Sequence, residues 1–185
     1  MMTTTAVTTE RAVTRPGPGV TPRIRTGSPA DREALAALLA GLSPESSYLR
    51  FQTGIGPVPP RAIIDAMLPA RAAAGALLAF VGDRLVGHGM WVRPGAAPVA
   101  EIGLVVADDH QARGIGSALA AALVAELAAR GIERAEVFSG AGNQAVARML
   151  DRNAPGAVRV VDGATVSYSF PVPAADARSV VPAVA

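Results

Sequence analysis

The chain of 185 residues is half apolar, which fits a single domain with a substantial core. It has no cysteine, so a disulfide framework, a thiolate metal site and a cysteine nucleophile are excluded; its two histidines, His88 and His110, lack metal-ligand spacing, and no metal is expected. The net charge is +2, every cation is an arginine, and the arginines are scattered without stacking aromatics, so nucleic acid is not an expected partner.

The first twenty residues are rich in Thr, Pro and Gly and lack the apolar segment of a signal peptide, which predicts a disordered tail over 1–20. Charged residues interrupt every apolar run before it reaches spanning length, so a cytoplasmic protein with no membrane partner is expected. A folded domain is expected over 21–172, followed by a second tail over 173–185.

A strand is predicted at Arg23–Thr26. Ser28-Pro29 then starts a helix in which Leu35, Leu38, Leu39 and Leu42 recur at helical spacing. Ser43, Pro44 and Glu45 offer an N-cap, a first-position proline and a first-turn acid to a second helix, and a further short one fits Pro60 to Met67. Ala76 to Val81 and Leu85 to Val92 read as a hairpin about Gly82-Asp83, and Val99 to Val106 as the next strand. In "VVADDHQARGIGSALAAAL" that strand passes through a glycine-spaced turn into a helix. Ile115, Leu119, Leu123 and Leu127 line one stripe of this helix, and Gly131 stands at its C-terminal cap. A strand in "ERAEVFSG", a short helix in "GNQAVARMLDRN" and a hairpin turning at Asp162-Gly163 complete the chain. The order β-α-α-β-β-β-α-β-α-β-β joins an antiparallel meander to a parallel, right-handed crossover. An α/β (α+β) fold follows, with a mixed, mostly antiparallel twisted sheet of about seven strands flanked by about four helices.

The turn "QARGIG" satisfies neither the dinucleotide nor the Walker fingerprint, since Leu119 replaces a third glycine and the chain has no lysine. Such a turn also serves as a plain connection. Its physics nevertheless favours an anion. The first amides of the following helix have no partners within it, the glycines leave their approach open, and the aligned peptide dipoles, with Arg113 beside them, attract negative charge. The Ser117 hydroxyl adds a donor.

"QARGIGSAL" resembles the Q/R-x-x-G-x-G/A motif of the GNAT family of N-acetyltransferases, with Gln111, Gly114 and Gly116 in the defining places. The likeness extends over about Pro22 to Val172, through the preceding "AEIGLVVADD" strand, the Asn-led helix "NQAVARML" and the terminal hairpin. "LSPESSYLRF" and "AEIGLVV" resemble the branch that includes bacterial protein lysine acetyltransferases. The resemblance implies acetyl-CoA as co-substrate. Its pyrophosphate is expected on the amides of Gln111, Ala112, Arg113, Gly114, Ile115, Gly116 and Ser117. Its pantetheine arm is expected along Leu104, Val105 and Val106, with Asn143 bonding the arm or capping its own helix.

Direct transfer requires a neutral amine, and the resemblance points to Glu101 as the general base; partial burial would raise its pKa toward neutrality. As a plain residue, Glu101 is an exposed carboxylate on a polar strand face. Asp108 and Asp109 fall in the turn and read as its caps. Leu150 stands where many family members carry a tyrosine that protonates the departing thiolate; Tyr48 and Tyr168 are the alternatives, and no spacing requires either. His88 and Trp91 lie on the neighbouring strand, as pocket lining or as ordinary packing. Three readings follow: transfer to a primary amine such as a protein lysine; transfer to a small amine (polyamine, amino acid or antibiotic); or a non-catalytic acyl-CoA sensor. Both a monomer and a homodimer fit.

Overall fold

The structure, a computed structural model, describes residues 21–174. The tail expected over 1–20 lies outside the described residues, as does all of the one over 173–185 beyond residue 174. Seven strands form one sheet: β1 (Arg23–Thr26), β2 (Ala74–Val81), β3 (Arg84–Val92), β4 (Val99–Val106), β5 (Arg134–Gly140), β6 (Val158–Asp162) and β7 (Thr165–Pro171). Their order is β1-β2-β3-β4-β5-β7-β6, antiparallel everywhere except between β4 and β5. This is the mixed sheet expected from the sequence. Five α-helices accompany it, each at a segment expected to be helical: α1 (Arg32–Ala40), α2 (Pro44–Phe51), α3 (Arg61–Met67), α4 (Ile115–Ala129) and α5 (Gln144–Asn153). The short α3, expected over Pro60 to Met67, is held in place by burying Ile64 and Met67.

The crossover helix α4 is fixed by its stripe. Ile115, Leu119, Leu123 and Leu127 are all fully buried. They reach the sheet because β3 carries glycines beneath them: a methyl at Gly87 would lie 2.8 Å from Leu119, and one at Gly89 2.9 Å from Leu123. Gly131, at φ +70°, ends the helix, with the Ile132 amide bonded to the Leu127 carbonyl at 3.0 Å.

One irregularity of the sheet prepares a site. β4 and β5 pair over only three positions, Val99 with Arg134, Ala100 with Ala135 and Glu101 with Glu136. Beyond them the strands part. β4 continues from Ile102 to Val106 bonded to β3 alone, and β5 continues from Val137 to Gly140 bonded to β7 alone. A wedge-shaped opening results in the middle of the sheet, with one bare strand edge on each side.

Candidate functional site

The head of α4 stands at the mouth of this opening. Gly114, its N-cap, has φ +87°, and Ala112 has φ +57°, a left-handed conformation that costs a residue with a Cβ about 1–2 kcal/mol. The Gln111 amide bonds to Asp108 and the Ala118 amide to Gly114. Between them, the amides of Ala112, Arg113, Gly114, Ile115, Gly116 and Ser117 donate to no main-chain carbonyl among the described residues. The Ile115 side chain is buried in the core, so only its amide is available, whereas Arg113 is exposed and Ser117 half-buried. A methyl at Gly116 would meet nothing nearer than Val106 at 3.8 Å and Leu104 at 3.9 Å. The bare amides and the bare edge of β4 are thus neighbours: donors for a phosphate lead into a strand edge with both donors and acceptors for an extended ligand.

A second element is tied across the opening. The Asp108 carboxylate accepts from the Ser43 amide at 2.9 Å, the Ser43 hydroxyl at 2.8 Å and the Ser46 hydroxyl at 2.7 Å. Burial pushes the Asp108 pKa up, but these bonds outweigh it and hold the carboxyl below the ordinary range. Asp109, bonded by His110 and Arg84, is held down to about 2. Both aspartates therefore secure the turn, in keeping with their position. Gln111 joins the same set, its Nε2 donating to the Ser46 hydroxyl and to the Val106 carbonyl, each at 3.1 Å. So anchored, α2 spans the wedge. Arg50 packs on Gly103 of β4, and Gln52, its C-cap, lies beside Gly140 of β5.

Glu101 occupies the apex, the last β4 residue paired with β5. The partial burial expected of it is not found: the residue is exposed. Alternation puts Glu101 on the face that Gly103 turns to α2. The register sets Glu136 of β5 directly beside it on the same face, a second carboxylate that the sequence reading did not single out. No signal marks it, since the pairing of two strands thirty residues apart is decided by the crossover.

Asn143 caps α5, its Oδ1 accepting from the Val146 amide at 3.2 Å. Leu150 is buried in the core. Tyr168 is buried and pairs with Val137, which puts it on the sheet face opposite Glu101, whereas Tyr48 is exposed on α2. His88 and Trp91 are both fully buried, and neither is free to line a pocket. The His88 Nε2 lies 2.8 Å from the Met67 carbonyl; Trp91 lies under α4, with the Arg130 guanidinium 4.7 Å from its ring. Among the described residues no His, Asp or Glu cluster is placed to hold a metal, and no helix is long and apolar enough to cross a membrane.

Comparison with known proteins agrees with this geometry. Residues 46–154 match the profile of the acetyltransferase (GNAT) family. Against the curated proteins the sequence has no match. Among solved structures, the GNAT domain of S. lividans PAT superposes with a TM-score of 0.74 at 24% identity, covering 81% of this chain and 90% of that one. A variant of the cAMP-binding acyltransferase from Mycobacterium smegmatis is 30% identical, with a TM-score of 0.56 over 86% of this chain and only 46% of that one. The PaiA N-acetyltransferase of Thermoplasma acidophilum, solved in complex with coenzyme A, gives 0.60 at 15% identity over 82% of this chain and 99% of that one. The matched segment, 46–154, holds the whole of the parted strands, the glycine turn and the head of α4: the chain belongs to the GNAT acetyltransferase family and is an acyltransferase that uses acetyl-CoA.

Proposed function

We propose that residues 21–172 form a catalytic domain that moves the acetyl group of acetyl-CoA directly to a primary amine, with Glu101 as general base. The observation that carries this reading is the parting of β4 and β5 at Glu101, next to the unpartnered amides of Ala112–Ser117. The amides and the Arg113 side chain hold a diphosphate. The bare edge of β4 at Leu104, Val105 and Val106 takes the extended arm as an added strand, which leads its acyl end toward the apex. The unused Nδ2 of Asn143 is available to the arm while its Oδ1 caps α5.

At the apex the proton decides the rate. An alkylamine with a pKa near 10.4 is neutral in only about one part in a thousand at physiological pH, a deficit of roughly 4 kcal/mol. Glu101, directly or through one water, takes that proton as the nitrogen attacks. The N–C bond forms, the C–S bond breaks, and the departing thiolate takes a proton from water. The resemblance of "AEIGLVV" favours a protein lysine as acceptor. A small amine is the second reading, favoured by the exposure of Glu101 beside a half-buried Glu136. The test is an acceptor screen with acetyl-CoA that follows thiol release over lysine-bearing proteins and free amines. Release stimulated by one amine class is the expected result; acetyl-CoA binding without stimulated release by any amine makes the chain a sensor.

The phosphate assignment has its own check. Gly116→Leu has room for its first carbon but fills the space between the free amides and β4. We expect CoA affinity by calorimetry to fall roughly tenfold to a hundredfold, the worth of one charge-assisted hydrogen bond, with the melting temperature nearly unchanged. Unaltered affinity removes the amides from the CoA site.

A further inference from the structure

The unexplained group in this region is Arg50. A methyl at Gly103 would lie 3.4 Å from its Cζ and from both terminal nitrogens, so the guanidinium lies face-on against the main chain of β4. The Phe51 ring lies 5.4 Å from it. Its Nε is buried and makes no hydrogen bond, and no carboxylate among the described residues pairs with it. Burial lowers its pKa, with no anion to offset the loss of water. A half-buried arginine without a partner is costly unless an anion arrives to complete it. Its planar fork matches the two oxygens of a carboxylate.

The placement is specific. Gly103 is the second residue beyond the apex, in the middle of the stretch of β4 that has lost its β5 neighbour. Glu101 shares its face, about 6–7 Å along the strand. An ammonium at Glu101 and a carboxylate at Arg50 would therefore meet opposite charges within one small molecule's length.

Building on the acetyltransferase reading, we infer that Arg50 is a specificity-determining residue that binds a carboxylate of the substrate in the β4–β5 opening. Two sources share this chemistry: an acceptor that carries a carboxylate near its amine, and a dicarboxylic acyl group on the CoA donor. The helix α2 is held in place for this role by the Asp108 anchor rather than by Arg50 itself, so the arginine can be changed without unfastening the helix.

The experiment compares neutral and carboxylate-bearing probes on the full chain, by calorimetry as well as by rate. In the acceptor arm, β-alanine is set against β-alaninamide in the presence of CoA. In the donor arm, succinyl-CoA is set against acetyl-CoA. Wild-type protein is expected to prefer the carboxylate-bearing member of one pair, and Arg50→Met to lose that preference by roughly tenfold to a hundredfold while binding the neutral member almost as before. Arg50→Lys, which retains the charge and lacks the fork, is expected to fall between them. The arm that shows the preference identifies the source. Wild type without preference in either arm overturns the inference, and this reading needs no variant to fold. An equal loss for both members in Arg50→Met overturns it as well, because a purely structural arginine would behave so. Calorimetry separates the two proposals: a binding preference with no turnover leaves Arg50 in place and removes the transfer chemistry.

Discussion

Glu101→Gln lowers acetyl transfer by roughly 10²- to 10⁴-fold at neutral pH, the range for loss of a general base, while calorimetry finds CoA affinity unchanged. The substitution keeps the shape of the side chain and removes only its ability to hold a proton. No part of the strip of amides over Ala112–Ser117 or of the β4 edge is altered by it, so binding and chemistry separate cleanly. The pH profile gives a sharper readout than one rate. As pH rises toward the pKa of the amine, the neutral fraction grows about tenfold per unit and the work asked of a base shrinks. The gap between variant and wild type is therefore expected to narrow steadily between pH 7 and pH 10. Glu136→Gln provides the control, because its carboxylate sits beside Glu101 in the strand register. It is expected to cost much less. A full wild-type rate in Glu101→Gln with a collapse in Glu136→Gln would move the base to β5, and full rates in both would leave the proton to solvent.

Much of this frame could be read from the chain before any coordinates. Strand β4 was bounded at Val99 and Val106 because a β-rich run stops at two aspartates, and Ser43-Pro44 marked the start of α2 because capping chemistry is local. Gly114 and Gly131 mark helix ends in the sequence, and both have left-handed backbones there. Groups whose role is set across the sheet were not legible. Arg50 looks like any last-turn arginine until α2 is laid over Gly103, and Glu136 looks like any strand glutamate until the crossover fixes its register. Partial burial is expected of Glu101 only as part of the general-base role that the resemblance implies, and what covers a strand face is set by the packing of distant segments; the residue is exposed. One long-range feature is nonetheless legible in the sequence. His88 and Trp91 are three residues apart on one strand, so they face opposite sides of the sheet and cannot line a single pocket.

His88 carries the largest expected pH effect on stability. Its ring is fully buried beneath Met67, with Nε2 donating to that residue's carbonyl and Nδ1 buried without a partner. Burial, helped by the positive charge of Arg50 and opposed by the Met67 bond, lowers its pKa from the ordinary 6.5 to about 4. Between those two values the unfolded chain binds a proton that the folded chain refuses, so stability falls as the pH falls. The slope is about 1.4 kcal/mol per pH unit, or roughly 3 kcal/mol across the window, a large part of the stability of a small domain. The carboxylates held low here act elsewhere. Asp31 beside Arg25, Asp108 among its serines and Asp109 beside His110 and Arg84 lose their contribution only as the pH drops below about 3.8. The interval from 6.5 to 4.5 thus belongs to His88. Urea unfolding at a series of pH values is expected to give the steep slope in wild type and a nearly flat line in His88→Gln, whose amide can still donate toward Met67 but does not titrate. The variant starts from a lower stability at pH 7, because an imidazole-shaped site is imperfectly filled, and the two lines converge toward pH 4. Parallel lines would mean that the buried imidazole reaches water before it is protonated, and that the acid sensitivity of this fold arises in its carboxylates alone.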